Sequence, residues 1–218
     1  ESRPLTPNNI FNDFTSNRIH SSFQASRTGV FGQTVRKDSV ANTVLFSKAS
    51  QIFAVYHVGE TPFDLVATPT EWSSLHGTFR HQSLFSPMTQ VSFLDRDPRI
   101  LISPLTKEQA QKLECRVYPV SDEAFKFQEA VLVGATENYY GECRFQIDPE
   151  TPGYMRMERE FLGRIFGKFV PSRADLVFAK TGELIGMMAN KEYCLVFDKL
   201  TASRTIRLGQ DLSGQYIT

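Results

Sequence analysis

Short apolar runs separated by turn residues dominate the chain from Val30 onward, and this pattern is typical of β-strands. The runs are rich in β-branched, aromatic and aliphatic residues, and Gly, Pro, Asn and Asp punctuate them. The strands predicted in the first half are Val30–Val35, Thr43–Phe46, Ile52–Val58, Asp64–Ala67, Val91–Leu94 and Ile100–Ile102. Those predicted in the second half are Arg116–Val120, Phe125–Gly134, Gly141–Ile147, Phe161–Val170, Leu176–Phe178, Leu184–Met188 and Cys194–Asp198.

A helical segment separates the two series of strands. Lys107–Leu113 contains good helix formers and follows Thr106, a residue type that caps helices. Two series of short strands on either side of such a break predict two small β-barrels in an all-β protein. We therefore expect an extended or briefly helical lead-in at residues 1–28, a first barrel at 29–105 and a second barrel at 106–218.

Composition and charge narrow the classes of function. The 218 residues contain 24 Lys and Arg against 24 Asp and Glu, so the net charge is zero. This balance argues against a general nucleic-acid or membrane-surface binder, and no apolar run approaches the roughly 20 residues that span a bilayer. The chain begins at Glu1 without a Met. We expect a processed product or a fragment, so the absence of a signal peptide does not indicate a compartment.

The three cysteines give no sign of a metal site. Cys115, Cys143 and Cys194 lack the CxxC spacing of zinc ligands, and an odd count leaves at least one outside an internal disulfide. A bridge from Cys143 to either of the others and three buried thiols are both open at this point. No other pattern predicts a metal or an organic cofactor.

Residues 168–188 carry the most information about function. Leu176–Phe178 and Leu184–Met188 flank a turn that ends in Gly182, which predicts a β-hairpin. The tail of this hairpin, Gly182-Glu183-Leu184-Ile185-Gly186, resembles the nucleophile hairpin of trypsin-like (chymotrypsin-fold) serine proteases, especially their bacterial Deg-type branch.

Three further segments match that family in the same order. Asn42–Ser47 followed by Gln51–Val58 resembles the two strands that end at the family's general base, and His57 falls on that base. Leu94–Ile102 resembles the segment with the Asp that orients it, but the alignment loses that Asp, and Asp97 or Asp95 could replace it only with a shifted backbone. Ala130–Ala135, with Gly141 following, resembles a strand of the second barrel. The resemblance implies two six-stranded antiparallel barrels packed side by side, with a short helix or two.

The resemblance fails where the chemistry of acyl transfer requires it to hold. Counting back from Gly182 places Arg173 in the nucleophile column and Ser172 one position earlier. The oxyanion column holds Pro171, which has no N–H to donate. Asp175 would place a carboxylate where negative charge develops. The resemblance therefore implies a non-catalytic homologue, with a vestigial triad of His57, Asp97 and Ser172, that binds a peptide or protein.

The alternative is an active serine endopeptidase that uses His57, Asp97 or Asp95, and Ser172. For the binding role, the family implies β-augmentation by a peptide along the edge Leu184–Asn190. The candidate contact residues on that edge are Leu184, Gly186, Met187 and Met188. The partner would be a peptide, a protein or a second copy of the chain, without nucleic acid and without direct insertion into a membrane. The family's bacterial members imply a periplasmic or secreted location, and a cytoplasmic one is the open alternative.

Overall fold

The structure is a computed structural model that describes residues 4–63, 72–136, 139–158, 171–209, 212 and 215. The predicted strands at 64–67 and 161–170 lie outside these residues. Within the described residues, no helix is both long and apolar enough to cross a membrane.

The described residues are mostly β-strand, as the spacing of apolar runs predicts. The helices are α1 (Pro7–Asn17) and α2 (Lys107–Leu113), with a one-turn 3-10 helix at Val58–Glu60. The first eight strands are β1 (Ile19–Thr28), β2 (Thr34–Thr43), β3 (Leu45–Lys48), β4 (Gln51–His57), β5 (Ser74–His81), β6 (Leu84–Met88), β7 (Gln90–Leu94) and β8 (Ile100–Leu105). The remaining strands are β9 (Val117–Pro119), β10 (Glu129–Val133), β11 (Tyr140–Ile147), β12 (Tyr154–Met157), β13 (Leu176–Phe178), β14 (Leu184–Met188), β15 (Tyr193–Val196) and β16 (Ala202–Arg207).

The predicted helix α2 is confirmed together with its cap. The Thr106 hydroxyl oxygen accepts a hydrogen bond from the Gln109 backbone N–H, and the Gln109 side chain accepts one from the Thr106 backbone N–H. This reciprocal capping box satisfies two N–H groups that would otherwise lack helical partners.

The chain folds into two compact units that are not continuous in sequence. Unit 1 comprises Glu1–Asn17, Phe46–Lys48 and Tyr118–Leu200, and unit 2 comprises Arg18–Leu45, Ala49–Val117 and Thr201–Thr218. This grouping differs from the boundaries expected at residues 28 and 105, because both ends of the chain pair with distant segments. The N-terminal helix packs within unit 1, and the last strand pairs with β7 in unit 2.

Unit 1 contains a closed antiparallel barrel of six strands in the order β10-β11-β12-β15-β14-β13. Its interior is filled by apolar side chains from all parts of the ring, among them Leu132, Met155, Val177, Ile185 and Cys194. Helix α1 packs against the barrel through Phe14, whose ring meets that of Phe178 edge to face at 6.4 Å. The Tyr118 hydroxyl donates to Asp13 of the same helix at 2.8 Å.

Unit 2 contains a four-stranded sheet in the order β2-β1-β5-β6 and a second group of strands in the order β16-β7-β8-β4. Side chains from both groups share one core, in which the rings of Phe23 and Tyr56 meet edge to face at 5.2 Å. The described strands of unit 2 therefore form two sheets around a common core. A second closed barrel is not among them.

The segment expected as an extended or briefly helical lead-in contains one helix and one strand of the fold. Helix α1 occupies Pro7–Asn17, and Ile19–Thr28 is a ten-residue strand that pairs with both β2 and β5. The inward positions alternate, as in any half-buried strand, but one of them is Ser21. The Tyr56 hydroxyl donates to the Ser21 hydroxyl oxygen at 2.9 Å. Because Ser21 is polar, the sequence does not show an unbroken alternation of apolar residues, and the strand was not recognised. In the structure, its hydrogen bond with Tyr56 makes this serine acceptable in the core.

Candidate functional site

The hairpin predicted around Gly182 is confirmed, with one irregularity in the pairing of its strands. Strands β13 and β14 pair antiparallel, and their register shifts by one residue between Val177 and Phe178. Gly182 adopts φ +85°, as a tight turn requires. The extra residue lies on β14, beyond Gly182, so the count back from Gly182 still places Arg173 in the nucleophile column. Ser172, one position earlier, is the nucleophile of the alternative triad.

The loop from Pro171 to Asp175 closes around a buried carboxylate. Asp175 is 3% exposed. Its Oδ2 accepts the backbone N–H of Ser172 at 2.7 Å, and its Oδ1 accepts the Tyr139 hydroxyl at 2.6 Å. Ala174 adopts φ +70° within the loop, and its N–H donates to Met188 O at 2.8 Å. Backbone and side-chain hydrogen bonds together hold this loop in one conformation.

Neither assignment of the nucleophile leaves a complete oxyanion hole. If Arg173 occupies the column, Pro171 supplies no N–H at the second donor position. If Ser172 occupies it, its own N–H is already bound to the Asp175 carboxylate. An oxyanion would then have to displace a negatively charged acceptor and lie beside it. Loss of one such donor typically slows acyl transfer by about 10²–10³.

His57 ends β4 and is buried, and its ring caps the following 3-10 helix. Nδ1 accepts a hydrogen bond from the Gly59 backbone N–H at 3.1 Å. Because a backbone N–H can only donate, the neutral ring carries its proton on Nε2. A general base of a Ser-His-Asp triad needs the opposite tautomer, with Nδ1 protonated toward the acid and Nε2 ready to accept.

Asp97 is also buried, and Arg99 engages both of its oxygens. The Arg99 Nε donates to Oδ1 at 2.9 Å, and a terminal guanidinium nitrogen donates to Oδ2 at 2.7 Å. The Arg99 backbone N–H adds a third bond to Oδ1 at 3.0 Å. This fork holds the carboxylate within its own turn. Asp95, the other candidate, is exposed.

The predicted catalytic residues come from both units. His57 and Asp97 belong to unit 2, whereas Pro171, Ser172 and Arg173 belong to unit 1. The assembly of a triad from these residues stays a prediction.

The predicted peptide-binding edge is corrected by the structure, because β14 is an interior strand of the closed barrel. Gly186 and Met187 pair with β13 on one side and with β15 on the other, and all five residues of Leu184–Met188 are buried. Gly186 has no side chain, and this allows β14 and β15 to lie close together, because a Cβ there would lie 1.9 Å from Leu195 O. Leu184, Gly186, Met187 and Met188 therefore present no open main-chain edge to a peptide.

Sequence reasoning missed two residues that define the local chemistry, Tyr139 and Arg99. The spacing of Ser172 and Asp175, three residues apart, is a signal for an Asp-closed loop that could have been read from the sequence. The contact with Tyr139 joins residues 36 positions apart, and no local pattern predicts it.

A groove of about 600 Å³ lies on unit 1, away from the loop at 171–175. Its walls are residues 121–126, the segment around Pro149 and Gly153, and the end of β15. Phe125 and Ile147 contribute apolar surface and are 49% and 56% exposed. A volume of this size suits a pair of side chains or a short peptide segment.

The groove carries an excess of negative charge. Its carboxylates are Asp122, Glu123, Asp148 and Asp198, and its ammonium groups are Lys48 and Lys126. Lys48 pairs with Asp122 at 3.1 Å, and Lys126 pairs with Glu123 at 2.8 Å. Two formal negative charges remain in excess, which favours a ligand with basic groups around an apolar centre.

Comparisons with known proteins find similarity to solved structures and none in sequence. No protein-family model matches the chain, and no curated protein matches its sequence. Among solved structures, the chain is similar to an HtrA-type protease with a decapeptide, at 8% identity and a TM-score of 0.47. The match covers 88% of this chain and 64% of that protein's chain.

Proposed function

We propose that this protein is a non-catalytic, trypsin-like domain that binds another protein. The observation that carries the proposal is the hydrogen bond from the Ser172 N–H to the buried Asp175 carboxylate. If Ser172 were the nucleophile, this bond would occupy an oxyanion donor and place negative charge where catalysis needs positive potential. If Arg173 holds the nucleophile column, Pro171 has no N–H to donate. The His57 tautomer set by Gly59 is an independent defect in the general base.

The binding half of the proposal is supported by the groove on unit 1. Exposed Phe125 and Ile147 surrounded by carboxylates form a surface suited to a basic and apolar segment of a partner. The closed ladder of β14 removes β-augmentation at Leu184–Met188, so side-chain recognition in the groove is the better-supported mode. A periplasmic or secreted location remains a prediction from the resemblance.

The alternative is a serine endopeptidase that uses His57, Asp97 or Asp95, and Ser172. It requires Ser172, one position before the column that the count from Gly182 gives, to act as the nucleophile. That enzyme would need the Asp175 carboxylate to withdraw from the Ser172 N–H, together with an imidazole of the other tautomer.

A covalent probe separates the two functions. The purified chain is incubated with a fluorophosphonate probe, with Ser172→Ala as the matched control and an active trypsin-like protease as the positive standard. We expect no labelling above the level of Ser172→Ala and no cleavage of a mixed peptide library. Labelling that is lost in Ser172→Ala would overturn the proposal and establish the endopeptidase.

A further inference from the structure

The most exposed apolar side chains of the described residues lie together at the end of one hairpin. Val30 and Phe31 are 95% and 92% exposed, whereas no other large apolar side chain in the described ranges exceeds 60%. They occupy the turn at Gly29–Gln33 between β1 and β2, which we call the hairpin tip. Two adjacent apolar residues held fully in solvent indicate a contact surface more strongly than a single exposed side chain does.

The hairpin tip is ordered by its own hydrogen bonds. The Gly29 N–H donates to Gln33 O at 2.7 Å, and the Gly32 N–H donates to Gly29 O at 3.0 Å. The Gln33 side chain accepts the Phe31 backbone N–H at 3.0 Å, and Gly32 adopts φ +79°. A preformed tip loses little conformational entropy when it binds, which favours association.

Basic residues surround the base of the hairpin tip. Arg27 faces Val35 across the ladder, and Arg36 and Lys37 follow within the next two rungs. All three basic residues are exposed, with Asp38 as the nearest acidic residue on β2. The hairpin therefore presents an apolar end with a collar of positive charge.

The groove on unit 1 has the complementary character. Its apolar walls include Phe125 and Ile147, and its carboxylates outnumber its ammonium groups by two. Among the eight exposed large apolar residues of the described chain, two lie in the hairpin tip and two line this groove. The hairpin tip and the groove are therefore complementary, because each has an apolar centre and the charges around the two centres are of opposite sign.

We infer that the hairpin tip of one copy of this chain binds in the unit 1 groove of a second copy, with the basic collar against the groove's carboxylates. The inference rests on the groove being a binding surface, as the proposed function has it, and does not depend on the loss of catalysis. Because the two surfaces differ, the contact is heterologous, and each copy keeps one tip and one groove available for further copies.

Self-association is measured by sedimentation velocity over a concentration series. The tip variant Val30→Ser/Phe31→Ser removes the apolar end, and the groove variant Ile147→Lys adds a charge that repels the collar. Phe85→Ser is the matched control, since Phe85 is 52% exposed on β6, outside both surfaces. We expect the tip and groove variants each to weaken self-association at least about tenfold. The control should match the wild type, and circular dichroism checks that each variant folds.

Mixing the two defective variants gives the sharper result. The tip variant keeps an intact groove, and the groove variant keeps an intact tip. An equimolar mixture should therefore form a 1:1 dimer with one working contact, and no larger species. A rise in salt from about 0.05 to 0.5 M should weaken this dimer, because ions screen the collar from the carboxylates.

Several outcomes would overturn the inference. A wild-type chain that stays monomeric at several hundred micromolar has no such contact. If the tip variant associates as strongly as the wild type, the contact lies on another surface. The same follows if Phe85→Ser weakens self-association as much as the tip variant does. Binding of the wild type, but not of the tip variant, to vesicles of anionic phospholipid without any self-association would make the tip a membrane contact. None of these results bears on Ser172, so the fluorophosphonate test of the proposed function stands or fails separately.

Discussion

The Asp175 carboxylate accepts the Ser172 backbone N–H at 2.7 Å and closes the loop that precedes β13. A second donor to this carboxylate, the Tyr139 hydroxyl, comes from a distant part of the unit 1 sequence and lies at 2.6 Å. Buried carboxylates are tolerated where hydrogen bonds replace their hydration. The acid therefore acts as a structural anchor of the loop, and the N–H that it takes is one that an oxyanion would need if Ser172 were the nucleophile.

Replacement of Asp175 should test this anchor directly. Asp175→Ala leaves the half-buried Ser172 and Tyr139 without this acceptor for their N–H and hydroxyl groups, and we expect a loss of about 2–4 kcal/mol in the free energy of unfolding. Asp175→Asn keeps one acceptor oxygen and should lose less than half as much. Urea denaturation at pH 7 gives both values. Small losses in both variants would mean that the hydrogen bonds to the carboxylate contribute little.

Gly186 should tolerate no side chain, because β14 and β15 approach closely at that position. A Cβ on Gly186 would lie 1.9 Å from Leu195 O, which is backbone and cannot rotate away. We expect Gly186→Ala to destabilise the chain by about 3 kcal/mol or more, or to prevent folding. The control is Met187→Leu, a volume-conserving change in the same strand. Thermal unfolding of soluble protein measures both, and a Gly186→Ala variant as stable as the control contradicts the close approach.

Glu129 should contribute stability that disappears in acid. The hydrogen bond and ion pair from Lys180, at 2.6 Å, lower the pKa of Glu129 from 4.5 to about 2. A depressed carboxyl pKa means that the contribution is complete above about pH 4.5 and is lost as the pH falls through 2.

The measurement for Glu129 compares the wild type with Glu129→Gln by urea unfolding. The difference in the free energy of unfolding should be present at pH 6 and nearly absent at pH 2. Its size should stay below about 1 kcal/mol, since Glu129 is partly exposed and solvent screens such pairs. Glu150→Gln, at an exposed glutamate of unit 1, is the control and should show no comparable change with pH. A difference that persists unchanged to pH 2 contradicts the assignment.

The three thiols should be inert in the native protein. None of the cysteines forms a disulfide, and burial raises the pKa of Cys115 to about 11 and raises that of Cys194 as well. Cys143 donates its thiol hydrogen to Glu158 O. We expect Ellman's reagent at pH 8 to label three thiols in denaturant and almost none without it, because the thiolate is the reactive form. Rapid native labelling that is lost in Cys115→Ser would identify an accessible thiolate there and contradict the prediction.

The hairpin at Gly182 and helix α2 were predictable because their signals are local. Each depends on residues within a few positions of one another, such as Gly182 after an apolar run or Thr106 before Gln109. The strand β1 escaped prediction because an inward position holds Ser21, and only the Tyr56 hydroxyl from another strand makes that serine acceptable in the core. The position of β14 inside the barrel was not predicted, because the residue pattern within a strand does not reveal which strands pair with it on either side.

The sequence by itself determined the β-rich composition, the positions of most strands, and one permanent chemical defect. Pro171 lacks an N–H in any conformation, so that part of the argument is covalent and needs no fold. Only the tertiary structure decided that Asp175 takes the Ser172 N–H, that Gly59 sets the His57 tautomer, and that β14 is closed into a barrel. Hydrogen-bond partners and strand neighbours depend on where backbone and side chains lie in space, and residue types along the chain do not specify those positions.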